Sequence, residues 1–186
     1  MAPLFESFPV LCTERLILRR LRVEDAQALF PVFSDAETLR YWASAAHRSF
    51  DETRTMIDGI LQAEADGTGI EWGVTWRGDD TVMAKVCHHR WTREHFRSEI
   101  GYIVRRDLWR RGIATEALRA ILDFGFSRMA LHSTEAQLDP GNVPSIRVLE
   151  GLGFVREAHL HENFFNGTRF SDTLIYSLLA SAALPR

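Results

Sequence analysis

Apolar positions along the chain recur with two spacings, and the switches between them lay out the elements. Leu16–Leu21 alternates apolar residues with arginines and predicts a strand. Val23-Glu24-Asp25 then opens a helix whose apolar face is Ala26, Leu29, Phe30 and Phe33. A second helix is predicted after Ser49, with Phe50 as a staple, Asp51 as its cap and Met56, Ile57, Ile60 and Leu61 on its apolar face. Gly67 and Gly69 break it. Ile70–Trp76 and Thr81–Trp91 alternate as strands around a Gly78-Asp79-Asp80 turn, and Phe96–Val104 is a third run.

Gly112–Met129 carries the strongest helical signal. Ala114, Ala117, Leu118, Ile121, Leu122 and Gly125 form one stripe at i, i+3, i+4, i+7, i+8 and i+11. His132–Leu138 reads as a strand. Asn142–Glu150 reads as a short helix capped by Asn142, with Pro144 in its first turn, ending at Gly151 or Gly153. Phe154–Leu160 and Arg169–Leu178 are the last strands, and Asn166-Gly167 is a hairpin signal between them. The order β, α, α, β, β, β, α, β, α, β, β has no repeat or linker. It predicts a single α/β (α+β) domain over residues 1–186, built as one mixed sheet with helices on its faces.

Composition narrows the function classes. The 186 residues are 46% hydrophobic and 25% charged, which excludes disordered and fibrous chains. Net charge is −3, from 22 basic and 25 acidic residues, and this argues against direct nucleic-acid binding. Cys12 and Cys87 cannot build a disulfide framework. No apolar run is long enough to span a membrane, and no leader pattern opens the chain. The expectation is a cytoplasmic protein with no membrane partner.

Charge is concentrated where it matters for chemistry. Arg105, Arg106, Arg110 and Arg111 crowd the junction between a predicted strand and the helix that begins near Gly112. A helix start leaves backbone N–H groups unpaired and carries partial positive charge, so this junction is a candidate anion site. Gly112 and Ala114 keep the approach open, and the arginines add donors. Taken alone, the junction is read more simply as a turn glycine beside a solvated basic face. A P-loop is excluded because no Gly-Lys-Ser/Thr follows, and a dinucleotide fingerprint because the G-x-G-x-x-G spacing is absent.

Four motifs in order give the junction a family context. Glu99-Ile-Gly-Tyr102 followed by Trp109-Arg-Arg-Gly112-Ile-Ala-Thr-Glu-Ala117 resembles the coenzyme A signature of GNAT superfamily acetyltransferases. Thr13-Glu-Arg-Leu-Ile-Leu-Arg19, Asn142-Val-Pro-Ser145 through Gly153-Phe154, and Glu162 through Asn166-Gly167 to Asp172 and Tyr176 resemble the ribosomal-protein N-terminal (alanine/serine) acetyltransferase branch. The likeness covers about residues 13–179. Two positions depart from it: the family often has glycine where this chain has Arg110, and lysine or arginine where it has Gly151.

The resemblance implies a mostly antiparallel sheet with splayed central strands. It implies acetyl-CoA as cosubstrate, held by Ile103, Val104, Arg110, Arg111, Gly112, Ile113, Ala114, Thr115, Asn142 and Ser145. It also implies direct attack by an amine. That chemistry requires a base for the ammonium proton and a donor for the leaving thiolate. Glu99 is the first candidate base and Glu162 the second; Ser145 is the candidate thiolate donor. The acceptor is expected to be a protein or peptide N-terminus. A small amine (antibiotic, polyamine or amino acid) and a non-catalytic acetyl-CoA-binding module remain open, as do monomer and homodimer. Acceptor choice is expected to lie in residues 33–50 and the last hairpin. His88 and His89 point to opposite faces of one strand. His159 and His161 share a face, but linear spacing offers no third ligand, so no metal is expected. Cys87 reads as a core residue. Trp42, Trp72, Trp76 and Trp91 read as core, with Trp42 the candidate to line an acceptor pocket.

Overall fold

The computed structural model describes residues 7–42, 44–165 and 169–183. Its eight strands form one sheet: β1 (Leu11–Cys12), β2 (Leu16–Arg20), β3 (Ile70–Trp76), β4 (Ala84–Thr92), β5 (Arg97–Val104), β6 (Ser133–Leu138), β7 (Val155–Phe165) and β8 (Phe170–Leu179). Their spatial order is β1-β2-β3-β4-β5-β6-β8-β7, antiparallel throughout except where β5 meets β6. The mixed, mostly antiparallel sheet expected from the sequence is the one found.

Helices cover both faces. On one side α3 (Ile113–Ser127) and α4 (Val143–Gly151) pack against Leu16, Leu18, Trp72, Val86, Ile100, Ala136, Leu174 and Tyr176. On the other, α1 (Ala26–Phe33) and α2 (Phe50–Ala65) enclose Leu21, Val82 and Ile103. The stripe read from the sequence explains how α3 sits. Ala117, Leu118, Ile121, Leu122 and Gly125 are buried against the sheet, whereas Ala114 is half-buried at the helix start.

The structure adjusts several local expectations. Ser49, not Asp51, caps α2, because its hydroxyl accepts the Glu52 N–H. Val23–Asp25 is a 3-10 turn that leads into α1 rather than its first turn. Residues 81–83 stand outside the ladder, although the Met83 N–H still donates to Val74 O at 2.9 Å. β1 is a two-residue strand that no periodicity announced. β7 runs on to Phe165, five residues beyond the predicted end. Gly153 terminates the turn after α4 with φ +88, a left-handed geometry that favours glycine. The Asn166-Gly167 turn signal lies outside the described residues, while the flanking Phe165 and Phe170 are paired antiparallel. No helix among the described residues is long and apolar enough to cross a membrane.

Candidate active site

The sheet opens where its two parallel strands part. β5 and β6 pair only at Arg97 with Ser133, Ser98 with Thr134, and Glu99 with Glu135. Beyond that point β5 stays with β4 as far as Val104, and β6 stays with β8 as far as Leu138. The apex of the fork is pinned by buried hydroxyls: Thr134 Oγ1 donates to Ser98 O at 3.2 Å and lies 3.2 Å from Ser98 Oγ. Past the apex, the β5 edge facing β6 has lost its backbone partners. A hydrogen-bonding chain of another molecule can pair there as a strand would.

A cleft of about 550 Å³ occupies this region. It is lined by Arg110, Gly112, Ala114 and Thr115 at the loop and helix start, by Tyr102, Ile103 and Val104 of β5, by Asn142 and Ser145 of α4, and by Glu37, Tyr41 and Trp42 from the connection between α1 and α2. Trp42 is anchored edge-on to Phe33 at 6.0 Å, so it belongs to both core and cleft.

The loop from Arg105 to Gly112 is shaped by backbone geometry. Trp109 Nε1 donates to Val104 O at 2.8 Å and folds the loop back on its own strand. Arg110 and Gly112 both hold positive φ, +61 and +76. The first helical bond of α3 runs from Glu116 N to Gly112 O at 3.0 Å, so the N–H groups of Ile113, Ala114 and Thr115 have no intrahelical partner. These three donors and the helix dipole face the cleft beside Gly112, which has no side chain to obstruct them. Ile113 contributes backbone only, because its side chain is in the core.

A staple from the chain's opening segment holds the loop in place. The Glu116 carboxylate accepts from Thr13 Oγ1 at 2.5 Å, Arg15 N at 3.0 Å and Arg15 Nε at 2.7 Å. Burial alone would raise the Glu116 carboxyl, but Thr13, the Arg15 N–H and the Arg15 guanidinium outweigh it and hold it below its ordinary value. The same guanidinium donates from Nη1 and Nη2 to Arg111 O at 3.2 Å. Arg15 therefore ties down the carbonyl just before Gly112. Nothing in the local spacing announced this role, since about a hundred residues separate the partners.

The opposite face of the fork carries titratable groups. Glu99 is 8% exposed. Its Oε2 accepts from Arg90 Nη1 at 2.8 Å, and its Oε1 lies 3.5 Å from His89 Nε2. Arg90 reaches Glu99 because β4 slips register between His89 and Thr92, with Arg90 at φ +48; the bulge re-aims its side chain. Burial lowers the His89 pKa against the opposing pull of Glu99 and Glu71, so the ring is neutral around pH 7. Lys85 pairs with Glu71 on the same face. Cys87, beside them, is pushed by burial up to about 12 and is no nucleophile. His88 points to the other face and is enclosed in the core, as alternation requires.

The structure therefore brings most of the expected residues together. Ile103, Val104, Arg110, Gly112, Ile113, Ala114, Thr115, Asn142 and Ser145 all line the cleft, but Glu99 and the Arg111 side chain do not. Asn142 caps α4 with its side chain, accepting the Ser145 N–H at 3.3 Å. Glu162 is separated from Glu99. It is exposed on β7, three strands from β5, or about 14 Å at ordinary strand spacing. Tyr102, quoted above only as part of a motif, places its hydroxyl 3.5 Å from Ser145 O and adds a phenol to the cleft wall. His159 and His161 do share a face, and Asp172 on the paired strand is the third group that linear spacing concealed.

The cleft offers an anion cradle and an unpaired strand edge, which together fit coenzyme A. Comparison with known proteins gives the family. Residues 15–155 match the family described as Acetyltransferase (GNAT) domain. The uncharacterized N-acetyltransferase YoaA of Bacillus subtilis (strain 168) is 34% identical over 173 residues, 92% of this chain and 97% of its own. The spermidine N(1)-acetyltransferase of Escherichia coli (strain K12) is 26% identical, covering 81% of this chain and 78% of its own. Among solved structures, Mycobacterium smegmatis RimJ in complex with CoA-disulfide superposes with a TM-score of 0.86 at 23% identity, over 100% of this chain and 93% of its own. RimL, a ribosomal L7/L12 alpha-N-protein acetyltransferase in complex with coenzyme A, superposes at 0.84 with 17% identity, over 94% and 99%. With the forked sheet, the open helix start and the matched family in agreement, this chain belongs to the GNAT acetyltransferases and is an N-acetyltransferase.

Proposed function

We propose that the enzyme acetylates the α-amine of a protein or peptide N-terminus. Acetyl-CoA supplies the activated acetyl thioester. The N–H groups of Ile113, Ala114 and Thr115 take its pyrophosphate, with Arg110 as an added cation. The backbone of Ile103 and Val104 orders its pantetheine arm along the open β5 edge, and Asn142 and Ser145 border the arm on the other side.

Glu99 accepts the proton of the attacking ammonium, directly or through water. Arg90 fixes one of its oxygens, and neutral His89 stands beside the other as the next acceptor. Ser145 donates its hydroxyl proton toward the departing thiolate, with the Tyr102 phenol in the same wall. Glu162 has no part in this scheme.

The observation that carries the peptide reading is the cleft wall made by the connection between α1 and α2. Tyr41 and Trp42 line the same cleft as the helix start, and exposed Arg40 beside them opens it to the surface. An acceptor can enter there as the end of a longer chain. The first experiment is calorimetric titration with acetyl-CoA, with adenosine triphosphate as control, followed by an acceptor screen of peptides, N-blocked peptides and polyamines. Micromolar binding of acetyl-CoA alone and turnover of free-amine peptides are expected. Turnover of polyamines with none of peptides would transfer the assignment to small amines. Glu99→Gln should lower kcat by about 10²-fold and flatten the pH dependence of its rate; an unchanged profile would place the base elsewhere.

A further inference from the structure

The outer hairpin of β7 and β8 carries a cluster that acetyl transfer does not use. His159 and His161 lie two apart on β7, with ring centroids 4.3 Å apart. Asp172 on β8 meets both: its Oδ2 is 2.6 Å from His159 Nε2 and 3.2 Å from His161 Nδ1. Its other oxygen accepts the Glu162 N–H at 2.9 Å. That N–H is aimed by a second bulge, where register slips between Leu160 and Phe164 and Glu162 takes φ +46. The carboxylate is thus oriented from behind, as metal-ligating carboxylates are, with one oxygen presented to two imidazoles.

As a hydrogen-bonded cluster this arrangement occupies both lone pairs of one carboxylate oxygen. Two rings converge on a single oxygen atom, and each must supply an N–H to it. A divalent cation replaces both protons and takes a lone pair from each ring. The donor set of two imidazoles and one carboxylate suits Zn²⁺, whose ligand distances of about 2.0–2.1 Å place tetrahedral neighbours about 3.3 Å apart. The His161 spacing already matches. The His159 contact is 2.6 Å and has to open by about 0.7 Å. The His159 side chain is 38% exposed and has room to move.

We propose that His159, His161 and Asp172 bind one divalent transition-metal ion, with Zn²⁺ as the reference ion and the remaining coordination position open to solvent. The ion clamps β7 to β8 across the bulge. Pairing of β8 with β6 ends at Leu174, so at Asp172 no third strand supports the hairpin. The site is independent of the cleft and of the assigned reaction.

Calorimetric titration of EDTA-stripped protein with ZnCl₂ tests it, in a Cys12→Ser background because exposed Cys12 is a competing thiol. His161→Ala and Asp172→Asn are compared in the same background. Neither side chain belongs to the core, and Asp172→Asn keeps a side-chain oxygen to accept the Glu162 N–H; circular dichroism confirms that each variant folds. The expected result is one ion per chain with a micromolar or tighter dissociation constant, weakened at least tenfold in each variant. Zn²⁺ should also raise the thermal midpoint of the parent and of neither variant. Absence of saturable binding, or less than tenfold weakening in either variant, overturns the site.

Discussion

Lowering the pH should destabilise this protein through one histidine. His88 is wholly enclosed: Nδ1 is 2.8 Å from Ser98 Oγ, Nε2 is 2.8 Å from Ile121 O on α3, and Trp72 stands edge-on at 6.4 Å. Burial pushes its pKa from 6.5 down to about 4. The folded chain therefore refuses a proton that the unfolded chain accepts below pH 6.5. Stability falls as pH drops from 6.5 toward 4, then levels off for this group. A gap of roughly 2.5 pH units at ~1.4 kcal/mol each amounts to about 3.5 kcal/mol, a large share of a domain's stability. The assay is urea unfolding by tryptophan fluorescence at pH 7.5, 6.5, 5.5 and 4.5, comparing wild type with His88→Gln. Glutamine can still join Ser98 to the Ile121 carbonyl but does not titrate. The variant should begin less stable and lose about 3 kcal/mol less across the window. Carboxyls held below their ordinary values, such as Asp35 and Glu116, affect both proteins alike and cancel in the difference. Parallel curves for the two proteins would refute the reasoning.

Gly112→Val should weaken acetyl-CoA binding about tenfold or more by calorimetry. A β-branched residue at φ +76 costs about 1–2 kcal/mol, and its bulk meets the phosphate; unchanged affinity would defeat the loop assignment. Glu116→Gln keeps an oxygen for Thr13 and the Arg15 N–H but loses the charged partner of the Arg15 guanidinium, and should cost up to about 1 kcal/mol of acetyl-CoA affinity after screening at half-exposed Arg15. Ser145→Ala should lower kcat by about tenfold or more with little change in acetyl-CoA affinity. A Tyr102→Phe variant that loses rate while Ser145→Ala does not would give the thiolate role to the phenol.

What the sequence disclosed tracks what is local. The α3 stripe, the Asn142 cap and the β3–β4 alternation depend on neighbours within a turn or a strand, and all were readable. Gly125 looked like an ordinary member of the stripe. The structure shows its reason: a Cβ there would stand 2.9 Å from His88 Nε2 and 3.0 Å from Leu131 Cδ1. The loop-to-helix junction that we propose as the anion site was readable because Gly112 and the helix start adjoin in the chain. The staple from Thr13 and Arg15 to Glu116 was not, because no periodicity links such distant residues. The two bulges were also hidden, since a register slip depends on the partner strand as much as on its own residues. For that reason Arg90 as the partner of Glu99, and Asp172 as the partner of two histidines, emerged only in three dimensions. The displacement of Glu162 follows from the same cause: sheet order, which sequence neighbours do not encode, put β8 between β6 and β7.

The fork between β5 and β6 also bears on cooperativity. Three rungs join a five-stranded part, built from residues before Val104, to a three-stranded part built from residues after Ser133. A ligand lying in that seam touches both parts and acts as a missing strand between them. Bound acetyl-CoA is therefore expected to couple their opening. At a hundred times its dissociation constant it would add about 2.7 kcal/mol of stability, with slowed amide exchange on both sides of the seam.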